Sequence, residues 1–218
     1  MKILVSLFIF LFAPQMIWAD NQLWQYTKGD STKIVALLDE AKNEKEDTNF
    51  PLFFANKFIG IRYVASTLER NKTEKLVINL QELDCTTLVE NVLALTLCAK
   101  IKQYTFKQFC TFMQKIRYNN GIISYPTRLH YFSEWINDNT KQGFVKEINT
   151  PNPPFKSQQI LDLHYMSTQH HKYPMLVQNP SWIKEIRRME QMVSGKTVNY
   201  IPKGILNNSS LIKDVIKD

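Results

Sequence analysis

Between Cys85 and Lys100 the segment CTTLVENVLALTLCAK aligns Leu88, Val92, Leu95 and Ala99 on one helical stripe, and Val89, Leu93 and Leu97 widen it. A helix apolar over so much of its circumference has to be covered on several sides, so it must be central to whatever fold the chain adopts. The residue before it, Asp84, has the chemistry of an N-cap. Cys85 therefore stands in the first helical turn, where the leading backbone N–H groups have no acceptor inside the helix. Positive potential at such an end favours a thiolate, the reactive form of cysteine, and a neighbouring N–H can hold the oxyanion formed when a carbonyl is attacked.

The rest of the chain reads as mostly helix with a few short strands. DSTKIVALLDEAKNEK offers Asp30 or Ser31 as a cap and apolar Ile34, Leu37, Leu38 and Ala41 at helical spacing. FPLFFANKFIG predicts a second helix with Pro51 in its first turn and Gly60 as its stop. KLVINLQEL alternates and predicts a strand over 76–80, which delivers the chain to Asp84. Thr105 and Gln108 have capping-box spacing ahead of Phe109, Phe112, Met113 and Ile116. LHYFSEWINDN reads as a helix with Phe132, Trp135 and Ile136 inward, PNPP at 151–154 as a loop, and ILDLHYMS as strand-like. Asn179-Pro180 opens a helix that runs to Gly195. An extended TVNYIP and a terminal helix, SSLIKDVIKD, follow.

The first residues stand apart. Lys2, an apolar run from Ile3 to Ala13, then Pro14 and Ala19 have the layout of a secretory signal over 1–19, which leaves 20–218 as a single domain. That reading places the protein in the periplasm or outside the cell, with no stable membrane anchor once the signal is cleaved. The net charge of +7 is spread along the chain with no basic run longer than Arg187-Arg188, so a solvated surface is expected and no nucleic-acid partner. Three cysteines cannot all pair. Cys98 and Cys110 either bridge two neighbouring helices or lie buried and reduced, and Cys85 is left over in both cases.

Several motifs together carry a family resemblance. DCTTLVEN resembles the nucleophile segment of NlpC-type, papain-like cysteine peptidases. FIGIRYVASTLE, LVINLQELDCTTLVENVLAL, IRYNNGIISYPTRLHYFSEWINDN and YMSTQHHKYP, from Phe58 to Pro202, narrow it to the N-acetylmuramoyl-L-alanine amidase-like family. The resemblance implies an α+β fold and a periplasmic thiol amidase, without cofactor or metal. Its substrate would be peptidoglycan or muropeptide fragments, cut between the lactyl group of N-acetylmuramic acid and L-alanine. Cys85 matches the nucleophile and Tyr63 the tyrosine that precedes it and lines the site. Glu69, Asp84, Arg128, His130 and Tyr131 complete the candidate substrate-binding set. In this set Arg128 can fork onto a peptide carboxylate, with His130 and Tyr131 donating beside it.

A cysteine amidase also needs an imidazole to take the thiol proton and return it to the leaving amine. In the resembling family this histidine follows a Gly-Asp pair and sits in a His-Val-Gly-like strand. None of His130, His164, His170 and His171 has that context, and the chain ends at Asp218 about where the Gly-Asp pair belongs. The expectation is a member lacking its C-terminal part and most of its central sheet. The Cys85 helix would then have an uncovered apolar face, and the chain alone little or no activity. The alternative is a non-catalytic module that binds wall fragments. Three of the histidines as a metal site, or Glu69 and Glu90 as a glycosidase pair, are weaker patterns: the histidines lack the spacing of the familiar zinc motifs, and any two acids can be nominated as such a pair.

Overall fold

A computed structural model describes residues 23–146 and 157–205. The signal-like stretch, the PNPP loop and the terminal SSLIKDVIKD helix lie outside these residues. The chain forms β1 (Trp24–Gln25), α1 (Lys28–Ala41), α2 (Phe50–Asn56), β2 (Arg62–Tyr63), β3 (Leu76–Val77) and β4 (Glu82–Leu83). It continues with α3 (Cys85–Lys100), α4 (Phe106–Arg117), α5 (Phe132–Lys141), β5 (Ser157–Ile160), α6 (Tyr165–Thr168), α7 (Pro174–Gln178), α8 (Trp182–Val193) and β6 (Thr197–Tyr200). The result is mainly helical with three two-stranded sheets: β1 with β3 and β2 with β4, both parallel, and β5 with β6, antiparallel. No helix among the described residues is long and apolar enough to cross a membrane.

α3 is the centre, as its stripe requires. Ala94, Leu95, Cys98 and Ala99 on it pack with Ile34, Leu37 and Leu38 of α1, Phe54 of α2, and Phe109, Met113 and Ile116 of α4 in one core. A smaller core gathers Tyr125, Met166, Met175, Leu176, Ile186 and Met189 under α6, α7 and α8. Cys98 and Cys110 face the main core as free, fully buried thiols, so the reduced alternative holds. Burial pushes the Cys98 thiol up to about 12 and Cys110 higher still.

Several boundaries differ from the sequence expectation for local reasons. α1 is capped by Thr27, whose hydroxyl accepts the Asp30 N–H at 3.1 Å while Asp30 Oδ2 accepts the Thr27 N–H at 2.9 Å. Asp30 thus occupies the reciprocal position of a capping box, which frees its Oδ1 to accept the Leu80 N–H at 3.0 Å. The strand expected over 76–80 ends at Val77, because Asn79 Oδ1 accepts the Gln81 and Glu82 N–H groups and turns the chain. The strand-like stretch from Ile160 begins earlier, at Ser157, and gives way to α6 at Tyr165. Phe132, expected inward, is 61% exposed at the first position of α5 and stacks outside on Trp135, which is buried.

Glu134, one turn into α5, is buried with no hydrogen-bond partner for Oε2, and burial, with Asp138 adding repulsion, pushes its carboxyl up to about 7. The folded state therefore keeps the proton longer than the unfolded chain does, and stability falls as pH rises from the ordinary carboxyl range through about 7. Glu134→Gln keeps the volume and removes the ionisation. It should match the parent at pH 4 and exceed it by up to about 3 kcal/mol at pH 8. Thermal melts at the two pH values read the difference, and a variant with the parent's pH slope would reject this account.

Candidate active site

The turn that carries Cys85 is fixed from both sides. Asp84 Oδ1 accepts the Thr87 N–H at 2.8 Å, and the Thr87 hydroxyl accepts the Asp84 N–H at 2.9 Å, which closes a capping box around the start of α3. Upstream, β4 pairs with β2 so that Leu83 lies opposite Tyr63, and Val64 donates to the Leu83 carbonyl at 3.0 Å. Cys85 is a free, exposed cysteine on this rigid corner. The N–H groups of Cys85 and Thr86 open the helix and have no intrahelical acceptors. Tyr63 is 69% exposed on the neighbouring strand. Cys85, the N–H groups that open α3 and Tyr63 thus sit on neighbouring, hydrogen-bonded elements.

The face of α3 just past Cys85 is apolar and partly open. Leu88, Val89, Val92 and Leu93 line a groove of about 260 Å³ against Pro51 and Ala55 of α2. Val89 is 46% exposed there.

Arg128 is placed otherwise than a fork for substrate would be. It is 5% exposed, its guanidinium is paired with the Glu69 carboxylate and lies 3.5 Å from Glu74 Oε1, and it also donates to the Leu68 carbonyl. Tyr118 donates to Glu74 Oε1 at 2.6 Å. Burial raises the Glu74 carboxyl against the opposing pull of Arg128 and Tyr118. These groups form a buried network that ties the 67–75 segment to the end of α4. A second buried pair, Arg117 Nε to Glu90 Oε2 at 2.8 Å, ties α4 to α3, and Arg117 Nη1 donates to the Val77 carbonyl at 2.6 Å. Glu69 and Glu90 are therefore both ion-paired, each with a different arginine, and do not face one cleft as a carboxylate pair.

All four histidines of the sequence fall among the described residues, and none of them is hydrogen-bonded to Cys85. His130 Nε2 lies 2.7 Å from the Tyr125 carbonyl, so it carries the proton and donates. Burial, reinforced by the Arg128 charge, pushes this imidazole down to about 3. His164 Nδ1 meets Asp162 at 3.0 Å, His170 Nδ1 meets the Ser167 carbonyl at 3.2 Å, and exposed His171 touches only the His170 ring. Among the described residues no three His, Cys, Asp or Glu side chains are grouped to hold a metal. Tyr131 serves the smaller core, donating to Glu190 Oε1 at 2.6 Å and accepting the Met166 N–H at 3.0 Å.

A polar cleft of about 520 Å³ opens beside the β2–β4 pair, lined by Arg62, Thr67, Arg70, Asn79 and Glu82 among others. Arg62 and Arg70 both pair with the Glu82 carboxylate. The signal was available in IRYVASTLER, where two arginines lie eight positions apart, but only chain folding brings them to one acid.

The model of the N-acetylmuramoyl-L-alanine amidase-like family matches residues 53–217. An N-acetylmuramoyl-L-alanine amidase from Bacteroides uniformis ATCC 8492, solved at 1.07 Å, is 40% identical with a TM-score of 0.64, covering 71% of this chain and 64% of that one. A Bacteroides fragilis protein named provisionally as a xylanase is also 40% identical, with a TM-score of 0.63 over 70% of this chain and 66% of that one. A Legionella pneumophila str. Philadelphia 1 protein at 19% identity and TM-score 0.59, covering 85% of this chain and 68% of that one, shares the fold. The chain thus spans just under two thirds of the length of the two Bacteroides proteins. A search of curated proteins finds no match.

Proposed function

Since this chain belongs to the N-acetylmuramoyl-L-alanine amidase-like family, we propose that it is an exported, NlpC-type cell-wall protein built for thiol attack on the amide between a muramic acid lactyl group and L-alanine. The observation that carries the reading is Cys85 itself: an exposed sulfur on the capped first turn of α3, beside N–H groups without acceptors and Tyr63. The Cys85 thiolate would add to the lactyl carbonyl, and the α3 N–H groups would hold the resulting oxyanion. Collapse would expel the alanine amine with a proton and leave a thioester, which water hydrolyses to free lactyl carboxylate and thiol. Lys2, the apolar run to Ala13 and Ala19 support export.

The proton steps need a base, and none of the four imidazoles, all among the described residues, is hydrogen-bonded to the sulfur. His130 is neutral and held by Tyr125, and the other three imidazoles belong to the 164–171 segment. We therefore assign little or no turnover to the chain alone. The same observation favours, as second reading, a module that holds muropeptides without cutting them. Incubating the purified chain with muropeptides, with Cys85→Ala alongside, is expected to release no peptide from either protein. Release by the parent that vanishes in the variant would overturn the inactivity and establish the nucleophile together.

A further inference from the structure

The cleft beside β2 and β4 has two guanidinium groups at its mouth and a single carboxylate between them. Arg62 pairs with Glu82 Oε1, and Arg70 Nη1 lies 2.7 Å from Glu82 Oε2. The arginine side chains are 73% and 53% exposed, whereas that of Glu82 is 18% exposed. A guanidinium has five N–H donors in a planar fork, so each arginine keeps donors to spare after serving Glu82. The other carboxylate lining the cleft, Asp30, is buried and spent on the N–H groups of Leu80 and Thr27 and on the Thr27 hydroxyl. Asn79 uses its Oδ1 for the Gln81 and Glu82 N–H groups, which leaves its amide N–H₂ as a further donor in the lining.

The position relative to Cys85 is set by the chain. Glu82 precedes Cys85 by three residues, so their Cα atoms are at most about 11 Å apart. Arg128, the arginine that sequence alone nominates for an acidic group, is buried and fully engaged. Arg62 and Arg70 have the exposure and the free donors that Arg128 lacks.

We infer that Arg62 and Arg70, held side by side by Glu82, form a subsite for a substrate carboxylate on the alanine side of the scissile amide. In N-acetylmuramoyl-L-alanine this is the free carboxylate of the alanine, two bonds from the scissile nitrogen. Glu82 holds the two like charges together and orients both forks, so that a second carboxylate completes an alternating array of charges. This assignment rests on the amidase-like reading for the identity of the ligand.

Calorimetric titration of full-length Cys85→Ala, which cannot turn over, tests it with two probes: N-acetylmuramoyl-L-alanine and N-acetylmuramoyl-L-alaninamide. The acid is expected to bind at least about tenfold more tightly than the amide, with the gap shrinking as salt is added. Adding Arg62→Gln and Arg70→Gln should bring the two affinities level. Equal affinities in Cys85→Ala, a preference that survives both substitutions, or binding of neither probe would overturn the subsite. If the double substitution fails to fold, Arg62→Gln alone, at the more exposed arginine, should still remove several-fold of the preference. The reading of Cys85 fails separately: an inert thiol with an intact acid preference ends the catalytic reading and keeps the subsite. A reactive thiol without that preference does the reverse.

Discussion

A small alkylating reagent added to the folded protein at neutral pH is expected to modify Cys85 at least about a thousandfold faster than Cys98 or Cys110. Cys85 is exposed at the start of α3, whereas the other two sulfurs are fully buried between α3 and α4. The buried pair can react only when the core opens. Opening of a core of this kind costs about the full unfolding free energy, on the order of 5–15 kcal/mol, so its population is about 10⁻³ or less. Burial also pushes the Cys98 thiol up to about 12, so the closed core itself holds almost no reactive thiolate. Peptide mapping by mass spectrometry after short exposures gives the three rates. Equal rates would show an open core, and a Cys85 as slow as the others would remove the nucleophile from the proposed function.

Glu90→Ala is expected to lower the melting temperature by on the order of 10 °C. Glu90 and Arg117 are each 3% exposed at the side chain, and their pair is the polar clamp between the central helix and α4. Removing the acid leaves a guanidinium in the core with only the Val77 carbonyl and the Met113 sulfur as partners. Leaving a buried charge uncompensated costs about 3–5 kcal/mol. For a domain of this size each kcal/mol shifts the melting point by about 2–4 °C. The consequence should extend to the site, because Arg117 also anchors β3 and the chain runs from there through β4 to Cys85. Replacing both partners with apolar residues, Glu90→Leu and Arg117→Met, should recover most of the loss, since the desolvation cost disappears with the charges. A single Glu90→Ala variant that melts within about 2 °C of the parent would show that the pair holds nothing.

What the sequence determined by itself is whatever a stretch of about four residues encodes. Asp84 caps α3 because its side chain meets an N–H three residues on, Thr105 caps α4 in the same way, and Pro51 stands in the first turn of α2, although that helix ends at Asn56 and not at Gly60. The apolar stripe from Leu88 to Ala99 made α3 central before any neighbour was known. Placing Cys85 at a helix start needed nothing else, whereas its exposure is a fact of the fold. The first cap, read at Asp30 or Ser31 and found at Thr27, shows the limit even here, since two overlapping cap patterns were resolved by the distant Leu80 N–H that recruits Asp30.

Only the tertiary structure decided which charges are spent and which are free. Arg128 meets Glu69 across 59 positions, and Tyr118 meets Glu74 across 44. Nothing in the local pattern distinguishes Arg128, which is buried, from Arg62 and Arg70, which stay in solvent around Glu82. The pairing of β2 with β4, the outward turn of Phe132 and the neutral state of His130 are of the same kind. The physical reason is that periodicity and capping depend on bonds along the chain, whereas the cost of burying a charge or leaving a donor unpaired depends on which distant segment arrives beside it.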